Sequence, residues 1–375
     1  MKKSPILFLL LLMAACHPKQ PTTLEEATLP EPTDSISFTP PKNIVLMIGD
    51  GMGLTQITAG LYMNGNKLNL EQFQYIGLHK SYSSNDLITD SAAGATAFAS
   101  GKKTYNGAIG LDAGGKPAKT ILEEAEAAGM STGLVVTSSI THATPACFYA
   151  HERDRGLMEQ IAGDLSISGV DFFVGGGKKY FDRRLDERNL IKEMEGKGFV
   201  ISNFIDADFN NLSIDFNKKF GYFTADAEPL PRSQGRNYFV QACHSALNYL
   251  SSQNDKGFFL MIEGSQIDWG GHANNSDYII SEMIEFDQAI GVVLDFAKQD
   301  GETLIIVTAD HETGGYAINP GSTWDSIIPA FTTDKHTAVL IPVFAFGPGQ
   351  ELFGGLYENT AIFDKMNRAL GFIKS

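Results

Sequence analysis

Four short stretches of the chain are continuously apolar, and each runs directly into charged or hydroxylated residues. They are Asn43 to Ile48, Gly133 to Val136, Phe258 to Ile262 and Leu304 to Val307. Runs of this length without polar alternation predict strands buried on both faces. Between them lie helical patterns at Thr120 to Ala128 and at Tyr278 to Lys298. The second is apolar at Ile279, Ile280, Met283, Ile284, Phe286, Ile290 and Val293, a stripe at helical spacing. Apolar strands alternating with amphipathic helices predict an α/β fold, a three-layer α/β/α sandwich around a largely parallel central sheet. Residues 180–240 are more polar and less regular, and are expected to form an insertion packed on the same domain. No internal repeat and no interdomain linker interrupts the pattern.

The N-terminal pattern is different. Lys2 and Lys3 precede an apolar run from Ile6 to Ala15 that is too short to cross a bilayer as a helix. It ends Met13-Ala14-Ala15-Cys16, which resembles a bacterial lipoprotein signal, in which the cysteine becomes the lipidated first residue. An ordinary secretory signal cut after Ala15 is the alternative, and both predict export. Residues 17–40 carry five prolines among threonines and glutamates and read as a tether. The expected organisation is a signal peptide over 1–15, lipidated Cys16 with a tether over 16–40, and a folded catalytic domain over 41–375. The expected location is the cell envelope, in the periplasm or at the outer membrane.

Composition narrows the partners. With a formal net charge of −15, the chain has no basic stripe for a nucleic-acid backbone. Anionic small molecules gain nothing from that overall charge, so a site for one must create its own positive field, as bound metal ions do. The 38 glycines suit the tight turns of an α/β protein. Once Cys16 is assigned to the signal, Cys147 and Cys243 remain. One disulfide or two buried thiols are both compatible with this, and neither cysteine has the spacing of a thiolate zinc site.

The candidate chemistry lies in the residues just past each strand. The first run ends Gly49-Asp50-Gly51, and the second leads to Thr137, His142 and Thr144. The third ends on Glu263 with Asp268 close behind, and the fourth leads to Asp310-His311. Ligands of open parallel sheets bind beyond the carboxyl ends of the strands. Each residue alone reads equally well as a solvated turn or a cap. Together they bring like charges to one edge, which calls for cations to hold them.

Asp268-x-x-x-His272 offers a carboxylate and an imidazole at a spacing that one metal ion can share. His336 stands alone between a polar stretch and an apolar one. Ser91, in Thr89-Asp90-Ser91-Ala92-Ala93-Gly94, marks a helix start. That reads as a cap, or as free N–H groups and a positive dipole suited to an incoming phosphate.

The joint pattern resembles the bacterial alkaline phosphatase family. The motifs are Asp50-Gly51-Met52-Gly53, Thr89-Asp90-Ser91-Ala92-Ala93, Lys103-Thr104-Tyr105-Asn106-Gly107, His142-Ala143-Thr144-Pro145-Ala146, Glu263-Gly264-Ser265-Gln266-Ile267-Asp268 and Ala309-Asp310-His311-Glu312-Thr313-Gly314-Gly315. They occur in the family's order over residues 43 to about 350, most like the short, cold-adapted Antarctic type. The resemblance implies hydrolysis of small phosphate monoesters through a phosphoserine intermediate on Ser91, with two zinc ions and one magnesium. The first zinc would be held by Asp268, His272 and His336, and the second by Asp50, Asp310 and His311. Magnesium would be held by Asp50, Thr144 and Glu263, and Arg155 would grip two phosphate oxygens. A homodimer is also what the family implies.

Two positions near the implied magnesium and phosphate sites, behind the ligands themselves, depart from the best-known pattern. His142 stands where some members carry Asp, and Trp269 where some carry Lys or His; Asp90 completes this surrounding set. An imidazole at 142 opens the third site to a third zinc as well as to magnesium. Three rival readings are a phosphodiesterase or a sulfatase of the same superfamily and a catalytically silent metal-binding lipoprotein. No Cys/Ser-x-Pro-x-Arg context surrounds Ser91, as a sulfatase requires, and none of the ligand set is missing.

Overall fold

The computed structural model describes residues 38–372. The expected signal peptide, Cys16 and most of the tether therefore lie outside the described residues. The strands are β1 Asn43–Gly49, β2 Tyr75–Lys80, β3 Ser131–Ser139, β4 Phe172–Gly176, β5 Phe199–Asn203, β6 Lys219–Phe223, β7 Phe258–Gly264 and β8 Thr303–Thr308. Next come four two-residue pieces: β9 Glu312–Thr313, β10 Ala317–Ile318, β11 Pro329–Ala330 and β12 His336–Thr337. The last two strands are β13 Ile341–Phe346 and β14 Gly355–Glu358. The helices are α1 Leu54–Met63, α2 Ser91–Ser100, α3 Ile121–Ala127, α4 Ala143–Ala146, α5 Met158–Ile167, α6 Lys179–Asp182 and α7 Leu190–Gly196. After them come α8 Phe239–Ser251, α9 Gln266–His272, α10 Ser276–Asp300 and α11 Ala361–Leu370.

Among the described residues one ten-stranded sheet runs in the order β14-β2-β13-β8-β1-β7-β3-β4-β6-β5. Every neighbouring pair is parallel except those made by β13, which runs against both β8 and β2. The largely parallel sheet expected from the apolar runs is what forms. All residues of β1, β3, β7 and β8 are buried, because helices cover both faces. On one face Val45, Met47, Leu260, Ile262, Ile305 and Val307 join a core with Leu247, Phe286, Ile290 and Val293 from α8 and α10. On the other, α3 and α4 pack on the sheet with α2 and α11 against them, and Phe148 stacks on Phe259 at 6.0 Å. Each fully buried aromatic or aliphatic side chain contributes about 1.5–3 kcal/mol of transfer free energy.

The long helix α10 starts and stops where its sequence says it should. The Asn275 side chain accepts a hydrogen bond from the Tyr278 amide at 3.0 Å, and Gly301 takes the left-handed conformation that ends the helix.

Residues 180–240, expected as an insertion packed on the same domain, instead supply strands of its central sheet. β5 and β6 extend the central sheet beyond β4, with Phe172 and Phe220 5.3 Å apart and Phe173 and Phe223 5.4 Å apart. Their apolar runs are interrupted, because β5 lies at the sheet edge with one neighbour and one half-exposed face. Cys147 and Cys243 are both buried and unpaired, which decides between the two cysteine readings. Burial pushes the Cys147 thiol up to about 12.

Beneath α10 lies a buried ion network. The Arg236 guanidinium donates to Glu285 at 3.0 Å through Nε, and through Nη2 to both Glu282 and Glu285. These three side chains are 1–4% exposed. Removing the cation leaves two carboxylates buried together. Arg236→Met is therefore expected to lower the unfolding free energy by about 3–5 kcal/mol in denaturant titration. A loss under about 1 kcal/mol would place the network in the class of surface ion pairs.

Candidate active site

Four neighbouring parallel strands, β8, β1, β7 and β3, end at one edge of the sheet, and that edge carries the candidate residues. Asp50 directly follows β1, and Glu263 lies at the end of β7. Asp310 and His311 lie just past β8, and His142 and Thr144 lie past β3. The register is tight, since Ile48 pairs with both Glu263 and Thr308. From β7 the chain turns into α9, which carries Asp268 and His272 one turn apart.

Ser91 opens α2. Asp90 caps the helix, with Oδ1 accepting from the Ala93 amide at 3.0 Å. Its other oxygen accepts from the Gly107 amide and from Arg155 Nη1, each at 3.0 Å. The run of small residues has a steric purpose: a Cβ on Gly94 would stand 2.9 Å from the Asp310 Cβ. Gly51 combines a φ of +71° with a close approach, since a Cβ there would lie 2.7 Å from the Asp268 Cα.

Three groups result, and the donor atoms within each lie within 4.8 Å of one another. The first is Asp268, His272 and His336. Its two imidazole Nε2 atoms are 3.1 Å apart, and they lie 3.4 and 3.6 Å from the Asp268 oxygens. The second joins Asp50, Asp268 and His311, with Asp310 Oδ2 3.1 Å from His311 Nε2. Ser91 Oγ is 3.4 Å from that same nitrogen. The third is Asp50, His142 and Glu263. The residues expected at the first centre stand together; at the second, Asp268 groups with Asp50 and His311, and the expected Asp310 lies beside His311 outside that group. At the third, His142 stands with Asp50 and Glu263, and the buried Thr144 hydroxyl lies beside Glu263.

The donor set fits cations. His336 Nδ1 is 2.8 Å from the Thr89 carbonyl and His272 Nδ1 is 2.7 Å from the Asp334 carbonyl. Each contact requires a proton on Nδ1, which leaves Nε2 as a lone pair. Two lone pairs 3.1 Å apart beside a carboxylate repel unless a positive charge lies between them. Deeper in the site, both Asp50 oxygens, Asp310 Oδ2, Glu263 Oε1, Thr144 Oγ1 and His142 Nδ1 are buried without a well-formed hydrogen bond.

Charge on the site is correspondingly unsettled. Burial, with Asp310 and Asp268 nearby, holds the Asp50 carboxyl well above the ordinary range. Burial likewise raises Glu263 to about 8. Burial would raise Asp310 too, but the neighbouring His311 ring holds it below the ordinary range. Burial and the Arg155 charge lower His142 to about 3, which keeps it a neutral imidazole able to bind a cation. Arg155 Nη2 lies 3.4 Å from its Nε2, and the Trp269 indole meets its ring edge-on at 6.1 Å.

Sequence reading missed the residues that orient the ligands. The Thr313 hydroxyl donates to Asp268 Oδ1 and lies 3.3 Å from His311 Nδ1. The Thr89 and Asp334 carbonyls fix two histidine tautomers, and backbone carbonyls leave no mark in a sequence. Thr313 did leave one, since it sits inside the Asp310–Gly315 motif.

A largely parallel sheet with carboxylates and imidazoles at its carboxyl edge, beside a serine at the head of a helix, defines an α/β protein with clustered groups able to hold metal ions. The family model for alkaline phosphatase matches residues 41–329. Alkaline phosphatase 4 of Bacillus subtilis is 36% identical, with 85% of this chain and 86% of that protein aligned. The alkaline phosphatase of Escherichia coli is 31% identical over 90% of this chain and 88% of its own. The structure of alkaline phosphatase from the Antarctic bacterium TAB5 is 47% identical with a TM-score of 0.84, covering 90% of this chain and all of that one. A histidine-to-aspartate variant of that protein, described with magnesium bound in its M3 site, superposes with a TM-score of 0.85 at 46% identity over the same coverage. The chain belongs to the alkaline phosphatase family.

The raised carboxyls predict how chelated protein responds to pH. Folded-state values above the unfolded ones mean that protonation of Glu263 and Asp50 favours the fold. That contribution is complete below about 4.5, the ordinary glutamate value, and is lost as pH rises through about 8. Chelator-treated protein should therefore melt at a lower temperature at pH 9 than at pH 6, and excess zinc and magnesium should remove most of the difference. A metal-free melting temperature that does not change over that range would count against the buried charge cluster.

Proposed function

We propose that this protein hydrolyses phosphate monoesters to an alcohol and inorganic phosphate, with Ser91 as the nucleophile. The observation that carries the reading is the position of Ser91 Oγ. It stands at the head of α2, 3.4 Å from His311 Nε2 and beside buried carboxylates with unused oxygens. Family membership and relatives named as alkaline phosphatases support the same reaction.

Asp268, His272 and His336 would hold one zinc ion. Asp50, Asp310 and His311 would hold the second, and Asp50 and Glu263 with His142 or Thr144 a magnesium. Such ions supply Lewis acidity, which lowers the pKa of a serine hydroxyl and neutralises charge on phosphoryl and leaving oxygens. The rest is the work of the chain. Ser91 Oγ attacks phosphorus as its proton is lost, and the bond from phosphorus to the alcohol oxygen breaks in line. Water then attacks the phosphoserine, the bond to Oγ breaks, and phosphate leaves with the serine restored. Amides at the first turn of α2 face the phosphoryl oxygens with the positive end of the helix dipole. Arg155 presents a planar fork of donors that suits two phosphoryl oxygens. Its ion pair with Asp90 holds the fork beside α2.

A sulfatase or diesterase reading gains no particular observation from the site. Turnover of p-nitrophenyl phosphate is expected to exceed that of the bis-ester and the sulfate ester, and to be lost with chelator. Ser91→Ala should lose about three orders of magnitude or more in kcat, the scale on which removal of a nucleophile acts, while still binding zinc. Near wild-type turnover by that variant would remove Ser91 from the mechanism.

We also propose export with lipid attachment at Cys16, on the pattern Met13-Ala14-Ala15-Cys16. Among the described residues no helix is long and apolar enough to cross a membrane, so attachment would rest on the lipid. Cys16→Ala is expected to move the protein from the detergent phase to the aqueous phase in a two-phase partition. Retention of the variant in the detergent phase would contradict the anchor.

A further inference from the structure

Glu312 comes directly after two proposed metal ligands in sequence, yet belongs to none of the three ligand groups. Its side chain is buried at the site, and its carboxylate accepts four hydrogen bonds. Oε1 accepts from the Gln56 side-chain amide at 2.7 Å and from the Tyr316 amide at 3.1 Å. Oε2 accepts from the Gly315 amide at 3.1 Å and from the Thr337 hydroxyl. A carboxylate offers about four lone-pair positions, so all of them are taken and none remains for a metal ion.

The donors come from segments that carry ligands. Gln56 lies on α1, directly after the turn Asp50-Gly51-Met52-Gly53, and its side-chain amide also reaches the Thr313 carbonyl at 2.9 Å. That turn sits against Glu312, since a Cβ on Gly53 would meet the Glu312 Cγ at 2.4 Å. Thr337 adjoins His336 on β12. There His336 pairs with Thr313 and Thr337 with Glu312 in a ladder of only two residue pairs. So short a ladder has little hold of its own. The stacked His311 and His336 rings, with centroids 3.5 Å apart, depend on where that ribbon lies.

We infer that Glu312 is a positioning residue of the metal centre. Its carboxylate clamps the His336 ribbon and the α1 turn to the strand end that bears Asp310 and His311. The inference rests on the proposed metal centre, and it assigns Glu312 a task that the ligand sets leave unassigned. Glutamine at this position would turn an NH₂ group toward two of the four donors and break the clamp without changing side-chain size.

The test is competition between full-length protein and a chromophoric chelator for zinc. Wild type is expected to hold two tight zinc ions. Glu312→Gln should weaken one of them about 10–100-fold, the usual cost of losing a group that orients a ligand, and leave the other unchanged. Its kcat should fall at limiting zinc and recover with excess zinc. Thr337→Val should weaken the same site by a smaller factor, and Thr337→Ser should restore wild-type affinity. Wild-type affinity at both sites in Glu312→Gln overturns the inference. If that variant does not fold, equal zinc affinity in Thr337→Val and wild type overturns it instead. A wild type that binds no zinc would overturn the metal centre itself, and the positioning role with it.

Discussion

The structure depends on one electrostatic constraint: four carboxylates, Asp50, Glu263, Asp268 and Asp310, are buried together at one sheet edge. Among the described residues no guanidinium or ammonium forms an ion pair with any of the four: Arg155 pairs with Asp90 and offsets Asp50 only in part, from a distance. Protein alone answers such a cluster poorly. It can protonate some members, as the raised Asp50 and Glu263 carboxyls show, or lean on an imidazole, as Asp310 does on His311. Cations answer it better, because one ion meets several oxygens at once and restores the interactions lost on burial.

The sheet makes that concentration of charge achievable. Strands β8, β1, β7 and β3 are adjacent and parallel, so their carboxyl ends fall together without any long loop. Apolar side chains dominate the middle of these strands on both faces, and Asp50, Glu263, Asp310 and His311 gather where the strands end. Small residues then set distances. Glycine at 94 brings α2 up to Asp310, and glycine at 51 lets the turn after β1 sit on Asp268. Ser91, the proposed ligands and the positive end of α2 are thereby placed on packed backbone elements.

These same features decide what could be read from the sequence. Asp50, Glu263 and Asp310 were legible because each ends an unbroken apolar run, and a buried strand must stop where its polar residues begin. α10 was legible from its stripe and Asp90-Ser91 from its capping pattern. β5 and β6 were not, because an edge position relaxes the demand for continuous apolarity and their aromatics find partners only in three dimensions. β13 gave no hint of its direction, which depends on β2 and β8 far away in the chain. His336 was recognisable only through family resemblance, since a two-residue ribbon has no periodicity. Glu312 sat within a motif without a role, because its partners are mostly backbone amides and a distant helix.

The two proposed zinc groups differ in openness, and that difference orders the chemistry. Around Ser91 the side chains of Asp50, Asp310 and His311 are fully buried, so an attacking oxygen there is shielded from bulk water. In the other group His272 is 38% exposed and is held partly through the Asp334 carbonyl, on a loop at the surface. An alcohol can leave and a water can enter on that side without disturbing the sheet. The closed side therefore suits attack by the serine and the open side suits exchange with solvent. Asp268, a proposed ligand of the open group, also lies with Asp50 and His311 of the closed one and is gripped by Thr313, so its charge is felt on both sides.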